Sequence, residues 1–355
     1  MTVDGEGFAH PQIDPDVCLR CGRCECVCPV LHPRPAGRPS AVYAARVKDD
    51  EGLLKESSSG GVFSLLAAQT LDRGGVVFGA VWDDRWTVVH RSAEDMAGVS
   101  AMRGSKYLQS RADGCYSEVS RHLDAGRHVL FSGTPCQVAA LRRFLNRDTD
   151  LLLAVEVICH GVPSPEVWLS YLKHYPGRLT GVSMRDKSLG WPRSVTRLDY
   201  EDGTVRNIEF NCFAYAFAVE LCNRPSCADC RVRGLKSGAD LTVGDFWFVW
   251  DMLPEMDDDK GTSVVIVQTE KGSRLLDAVR PSLVLRETDY AAALRGNPSL
   301  EKDGALHPRR KEFLERVETM EDFGALVTEF VGKDPLKLRH LADKDWRAGS
   351  DGGQG

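Results

Sequence analysis

A chain of 355 residues, 43% hydrophobic and 27% charged, has an ordinary globular composition and is long enough for one large core or two domains. Its net charge of −6, with Arg and Lys dispersed among acids, provides no basic face for nucleic acid. Apolar stretches such as LLLAVEVI at 151–158 are too short to cross a bilayer, and the acidic N-terminus MTVDGEGFAHPQIDPD does not read as a signal peptide. A reducing, cytoplasmic compartment is therefore expected, in which the twelve cysteines are metal ligands or thiols and not a disulfide framework.

The first element in chain order is CLRCGRCECVCPV at 18–30. Cys18, Cys21, Cys24 and Cys28, followed by Pro29, have the C-x2-C-x2-C-x3-C-P spacing of bacterial iron-sulfur proteins. Two-residue gaps let the backbone curl around a cubane, whereas zinc sites usually divide four ligands into two separated pairs. Residues 1–30 thus read as a ferredoxin-like 4Fe-4S segment, with Cys26 out of register. In two-cluster ferredoxins the fourth cysteine of each run serves the other cluster; with a single run, either Cys28 completes its own cluster or a distant thiol does, and Cys28 is favoured. The stretch PVLHPRPAGRPS makes 31–40 a stiff connector. So small a segment cannot fold alone and is expected to dock on the carboxyl edge of the sheet that follows.

Next, LLKESSSGGVFSLLAAQTLDRGGVVFG predicts a serine and glycine turn, an apolar helix over 62–72 and then a strand. Free N–H groups and hydroxyls at such a helix start suit a phosphate, although the same residues also make an ordinary capped helix. MRGSKYLQS at 102–110 has no helical period and reads as a loop in which Lys106 and Tyr107 are candidate flavin contacts.

GRHVLFSGTPCQVAALRRFL predicts strand, turn and helix, with Thr134 as N-cap, Pro135 at the first helical position and Cys136 in the first turn. LLLAVEVICHGVPSPEVWLSYL repeats the arrangement, its strand ending at Cys159 and its helix opened by Ser164 and Pro165. Such units favour a parallel sheet whose functional edge lies at the carboxyl ends of the strands, with Cys136 and Cys159 side by side on it. The fold class is therefore α/β with α+β elements: a mixed, largely parallel sheet core with helices, plus the small N-terminal segment.

In LCNRPSCADCRVRGLKSGADLTVGDFW, Cys227 and Cys230 form a C-x-x-C pair ahead of a strand at 241–244. With Cys136 and Cys159 they make the four thiols a second cubane needs, and Arg224, Arg231, Arg233 and Lys236 would offset its charge. Zinc at the same four cysteines, or Cys136 as a lone nucleophile, is an alternative on this spacing. PEMDDDKG at 254–261 reads as a solvated acidic loop. HPRRKEFLERVETMEDFGALVTEF suits an amphipathic helix pair, and RAGSDGGQG reads as a disordered tail. No role is assigned to Cys26, Cys115, Cys212 or Cys222.

The ordered series KESSSGG, RGSKYLQS, LFSGTPCQVAAL, ICHGVPSP, MRDKSLGW, RPSCADC and GADLTVGDFW resembles the bacterial branch of the coenzyme F420 hydrogenase/dehydrogenase beta-subunit family, from Cys18 to about residue 320. The resemblance implies an FAD- and iron-sulfur-dependent oxidoreductase that passes electrons between ferredoxin or coenzyme F420 and a small-molecule substrate. It implies as an alternative a non-autonomous relay subunit of a larger redox complex. Many relatives have two ferredoxin-type runs and this chain has one, so the implied inventory is two 4Fe-4S clusters and one FAD, with F420 as a further co-substrate.

By motif, Cys136, Cys159, Cys227 and Cys230 look like ligands of the cluster near the flavin, and Ser58, Ser59, Gly60, Gly61, Lys106, Gln109 and Thr134 look like the FAD cradle. The resemblance makes 41–320 the cofactor-binding domain and 321–355 a C-terminal helix and tail. Arg185 and Lys187 are candidates to clamp a carboxylate or phosphate, with Trp191 covering a ring; a plain charged turn is the structural alternative. His160 is a candidate proton donor, against a histidine fixed by hydrogen bonds, and Glu156 shares that ambiguity. Asp245, at a strand end, is read as orienting a cofactor.

Overall fold

The computed structural model describes residues 1–193, 195–209 and 211–332. Its strands in chain order are β1 Thr2–Val3, β2 Ala9–His10, β3 Ala41–Val47, β4 Val76–Trp82, β5 Val88–Ala93, β6 Val129–Gly133 and β7 Leu152–Val157. They continue with β8 Leu179–Asp186, β9 Val195–Tyr200, β10 Val205–Glu209, β11 Leu241–Asp245, β12 Ser263–Val267 and β13 Leu283–Thr288. Several are unbroken apolar runs, as strands covered on both faces must be: every residue of β12, SVVIV, is buried.

Eight strands form the main sheet in the order β13-β3-β12-β11-β7-β6-β4-β5. Its centre is parallel, with β4, β6, β7 and β11 running the same way. Antiparallel strands flank this centre: β5 beside β4, and β12, β3 and β13 beyond β11. Alternate side chains serve opposite faces. Leu153 and Val155 pack with the helices Val62–Asp72 and Glu270–Val279. Leu152 and Ala154 face the helices Cys115–Asp124 and Pro135–Leu145. Beyond them, on the same side, Val264 and Ile266 meet Trp191, Phe246, Met256 and Leu300.

The smaller antiparallel sheet β10-β9-β8 stands apart. Beside it lies an aromatic cluster built from the helices Pro165–Leu172, Cys212–Ala218, Arg310–Val317 and Phe323–Val331, including Trp168, Tyr171, Phe213, Phe313 and Phe330. The helix pair expected near the C-terminus is present, but the boundary placed at 320 falls between two helices that share this one core. The expected disordered tail at 347–355 lies outside the described residues. The N-terminal ten residues are likewise integrated: Phe8 is fully buried, Glu6 pairs with both Nη atoms of Arg310 (2.9 and 2.5 Å), and Ser164 Oγ donates to the Glu6 carbonyl (2.5 Å).

The acidic stretch 254–261 corrects the expectation of a solvated loop. Met256 is buried, Asp258 pairs with Arg46 at 2.8 Å, and the Trp191 N–H donates to the Asp259 carbonyl at 3.0 Å. Its charges are exposed on one side while its backbone seals the core.

The serine and glycine turn is fixed by close packing. Val47 N–H donates to the Gly60 carbonyl and Gly60 N–H to Ser263 Oγ, both at 2.8 Å. A Cβ on Gly60 would lie 2.1 Å from the Ala45 carbonyl oxygen, so strand β3 itself would have to shift. Gly60→Ala is expected to cost roughly 1–3 kcal/mol or more, as overpacking does. A lowered denaturant midpoint checks this, and a midpoint equal to that of the parent chain would refute it.

Candidate functional site

Strands β6 and β7 pair in parallel with Gly133 opposite Glu156. Cys136 lies three residues beyond Gly133 and Cys159 three beyond Glu156, so two thiols follow adjacent strands at equal distance along the chain from one paired position. Cys136 occupies the first turn of Pro135–Leu145; Thr134 N–H donates to Gln137 Oε1 (3.0 Å), and Thr134 Oγ1 lies 3.1 Å from Cys136 Sγ. Cys227 and Cys230 bracket the end of a short turn over Pro225–Asp229, with Cys227 N–H donating to the Arg224 carbonyl at 2.9 Å.

These four thiols feel one another. Burial pushes the Cys159 thiol far above its ordinary range, with Cys136, Cys227 and Cys230 adding to the shift. Burial holds Cys227 up, at about 11, with Cys136 and Cys230 again contributing. The Cys136 side chain reaches solvent, yet desolvation by its surroundings raises its pKa too, and Cys230 adds to this. Among the described residues no three His, Cys, Asp or Glu side chains converge tightly enough for a single ion. The donors here are all sulfur, which suits a thiophilic metal centre spread over more than one atom.

Arg233 holds the thiol edge together. Its side chain is 6% exposed. Nη1 donates to the carbonyls of Cys159 (2.9 Å) and Ser299 (2.7 Å), and Nη2 donates to that of His160 (2.6 Å). Asp303 lies 2.8 Å from its Nε and accepts the Cys230 N–H at 3.2 Å. Sequence reasoning valued Arg233 only as a charge and missed Asp303, whose partners are 70 residues or more away and leave no local signature.

The N-terminal run is fastened on both sides to segments that also carry the thiols. Before it, Arg224 donates to the Ala9 carbonyl (3.0 Å) and lies over the Phe8 ring (5.5 Å). After it, Gly37 N–H donates to the Leu235 carbonyl (2.8 Å), and Arg143, in the helix that carries Cys136, donates to the His32 carbonyl. Arg224 is three residues ahead of Cys227. Between these anchors Arg20 and Gly22 take positive φ angles of 51° and 70°, which turn the chain back on itself; Cys18 Sγ accepts the Arg20 N–H at 3.4 Å, and Cys21 and Cys24 are exposed.

His160 leaves the edge with Nε2 3.0 Å from Glu220 Oε1 and its ring edge-on to Phe217, 5.0 Å between centroids. Phe217 meets Tyr107 (5.5 Å), whose hydroxyl accepts from Arg185 Nη1 (3.5 Å). Arg185 in turn is 3.5 Å from Asp245 and lies over Trp247 at 5.0 Å. This wall runs from the thiols to the serine and glycine turn; Glu220, Phe217 and Trp247 in it were not anticipated from sequence.

At the far end Lys187 departs from the expected substrate clamp. Its Nζ donates to the carbonyls of Leu54 (2.8 Å), Ser59 (2.8 Å) and Lys260 (2.6 Å), so its donors are spent on joining two loops. Trp191, expected to cover a ring, is instead buried in the core and stacked on Trp247. Ser59 Oγ is also spent, on the Thr262 carbonyl (2.8 Å). Ser58 and the amides that open Val62–Asp72 beyond Gly61, whose φ is +82°, lie in the same turn. Arg103 reaches Ser64 Oγ (3.0 Å), and its carbonyl accepts from Lys106 Nζ (2.8 Å). Burial lowers the Lys106 pKa to about 7. Gln109 lies nearer the thiols, where its Oε1 accepts from Arg224 Nη1 (2.8 Å).

Glu156, beneath this edge, is 2% exposed and accepts from Thr242 Oγ1 (2.7 Å) and Gln268 Nε2 (3.2 Å). Burial raises its pKa above the ordinary 4.5. The folded state therefore holds this proton more tightly than the unfolded one, and the associated stability is present at acid pH and lost as pH rises through the folded pKa. Glu156→Gln should remove that loss. Denaturant titrations from pH 4 upward check it; parallel stability profiles for the two chains would contradict it.

Family models for the coenzyme F420 hydrogenase/dehydrogenase beta subunit match residues 42–113 with their N-terminal part and 126–292 with their C-terminal part. An uncharacterized protein of Methanocaldococcus jannaschii is 26% identical over 298 residues, 77% of this chain and 75% of its own length. A chain of the F420-reducing [NiFe] hydrogenase complex from Methanosarcina barkeri shares the fold, with a TM-score of 0.50 over 86% of this chain and 93% of that one at 15% identity. No described helix is long and apolar enough to cross a membrane. The chain belongs to the coenzyme F420 hydrogenase/dehydrogenase beta-subunit family, a family of redox subunits.

Proposed function

We propose that this protein is an iron-sulfur flavoprotein that passes electrons between ferredoxin or coenzyme F420 and a small-molecule substrate. Cys18, Cys21, Cys24 and Cys28 hold one 4Fe-4S cluster, and Cys136, Cys159, Cys227 and Cys230 hold a second. What supports this reading is that Cys136 and Cys159 follow adjacent parallel strands, that Arg233 and Asp303 join the backbone of Cys159 to that of Cys230, and that the N-terminal run is anchored at both ends to segments carrying these thiols. Each of Cys136, Cys159 and Cys227 has another of these thiols in its electrostatic surroundings, and four thiolates are the number a cubane needs.

FAD is assigned to the turn Ser58–Gly61 with Lys106. Amides at the start of an eleven-residue helix favour a diphosphate, and Lys106, whose pKa burial lowers to about 7, would be held in its charged form by such an anion. Gln109 and Thr134, on the thiol side of the wall, are assigned to its other end. Bound there, clusters supply one-electron exchange and a flavin couples it to two-electron chemistry.

The remaining work is done by protein side chains. Arg185, oriented by Asp245 and Tyr107, offers a buried cation to an anionic substrate group. His160 can hold a proton at Nε2, steadied by Glu220, where the wall meets the thiols.

A second reading, a relay subunit within a larger redox complex, is favoured by one feature of the surface. Ile13, Val17, Leu19, Val30 and Leu31 are each more than half exposed around the N-terminal run, and apolar surface gathered in this way marks a protein contact.

Anaerobic purification with iron, sulfide, zinc and flavin quantification tests the cofactor assignment. About eight irons and one FAD per chain are expected from two cubanes; zinc in place of iron would overturn it. Cys159→Ser should lose about half the iron and keep the N-terminal cluster's signal, and Lys106→Ala should lower flavin occupancy with iron unchanged. Stopped-flow reduction of the isolated chain by ferredoxin or F420 supports the first reading, while reduction only after a partner subunit is added supports the second.

A further inference from the structure

Resting on the reading of Cys136, Cys159, Cys227 and Cys230 as ligands of one cluster, we propose that Arg233 and Asp303 are positioning residues. They form a lock, with the guanidinium buried and the carboxylate at the surface, that fixes Cys159 and Cys230 and sets the potential of the cluster those thiols hold.

The lock joins three segments that are distant in sequence. From one guanidinium, donors reach the carbonyls of Cys159, His160 and Ser299, while Asp303 takes its Nε side and the Cys230 N–H. Two of the four thiols therefore belong to residues whose backbone is held by this one ion pair. Asp303 lies in a strap over 297–304, beyond residue 292 where the family match ends. Along that strap Asn297 Nδ2 donates to the Asp245 carbonyl (2.9 Å) and the Leu300 carbonyl accepts Gly234 N–H (2.7 Å). Gly304 passes so near Glu220 that a Cβ there would lie 1.9 Å from Oε1. The strap thus touches the strand end bearing Asp245, the loop bearing Cys230 and the partner of His160.

Two physical consequences follow. Outer partners that orient metal ligands typically account for 10–100-fold in metal affinity, so breaking the lock should loosen the cluster without deleting a ligand. Cluster potentials also respond to net charge and burial. The Arg233 guanidinium sits against the Cys159 and His160 carbonyls, so its charge favours the more negative, reduced cluster and raises the potential; the Asp303 carboxylate has the opposite effect. Purely structural support would not produce shifts of opposite sign.

The test compares the full-length chain with Arg233→Gln, Arg233→Lys and Asp303→Asn, each reconstituted with iron and sulfide under argon. Redox titration followed by electron paramagnetic resonance reads the potential of the signal that Cys159→Ser abolishes, and iron release to a chelator reads lability. Arg233→Gln should lower the potential and Asp303→Asn should raise it. Arg233→Lys keeps the charge but not the fork, so its potential should stay near that of the parent while iron leaves about tenfold faster. Parent-like potentials and release rates in all three, or shifts of one sign in both charge-removing variants, would overturn the proposal. Should Arg233→Gln fail to fold, the other two variants decide it. If Cys159→Ser retains all its iron, the ligand assignment itself has failed, and the two failures are told apart.

Discussion

The site depends on the parallel pairing of β6 with β7. Because Gly133 stands opposite Glu156, equal three-residue exits bring Cys136 and Cys159 to neighbouring positions on one edge. A slip of one residue would reverse the facing of every side chain in one strand, burying Leu152 and Ala154 where Leu153 and Val155 belong. The hydrophobic alternation that places the core therefore also places the thiols.

A buried polar centre protects that register. Asp240, 1% exposed, accepts the Ala154 N–H and Arg142 Nη2, both at 2.8 Å, and the Thr269 hydroxyl at 2.8 Å. Arg142 lies in the helix of Cys136, Ala154 lies in the strand that leads to Cys159, and Asp240 itself opens β11. One carboxylate thus ties together three elements at the amino ends of the strands, while Arg233 ties their continuations at the carboxyl ends. Buried pairs of this kind add little net stability but are costly to break singly, on the order of 3–5 kcal/mol, so they constrain which arrangement forms more than how stable it is.

Local and periodic signals were legible in the sequence. The helix over 62–72, the Thr134 cap with Pro135 behind it and the strand at 241–245 follow from caps, glycines and apolar runs acting over a few residues. The parallel centre of the sheet followed from the strand-helix repeats around Cys136 and Cys159. The antiparallel flank of β12, β3 and β13 did not, because nothing in those strands encodes their neighbours. Long-range polar contacts were equally opaque: Lys187 looked like a free cation beside Arg185, and only the fold brings the Leu54, Ser59 and Lys260 carbonyls to it. Trp191 looked like a lid because a tryptophan next to charges resembles a ring stacker, but Phe246 and Met256 enclose it.

The arrangement also decides which distances are fixed and which are adjustable. Thiols placed by strand ends, and a serine and glycine turn locked at Gly60 against β3, are tied to one packed sheet, so their separation is set chiefly by close-packed side chains. The wall from His160 through Phe217 and Tyr107 to Arg185 crosses from the small helical core to the main sheet, drawing on both. By contrast the N-terminal run is held at its two ends, by Arg224 before it and by Arg143 and Leu235 after it, with Cys21, Cys24 and Cys26 exposed and Cys18 and Cys28 half-buried between them. On the proposed reading, rigidity is concentrated where electrons would pass between inner centres, and exposure where they would enter or leave. For a redox subunit this division of labour is physically required, since transfer within the chain needs a constant spacing while exchange with a partner needs an accessible face.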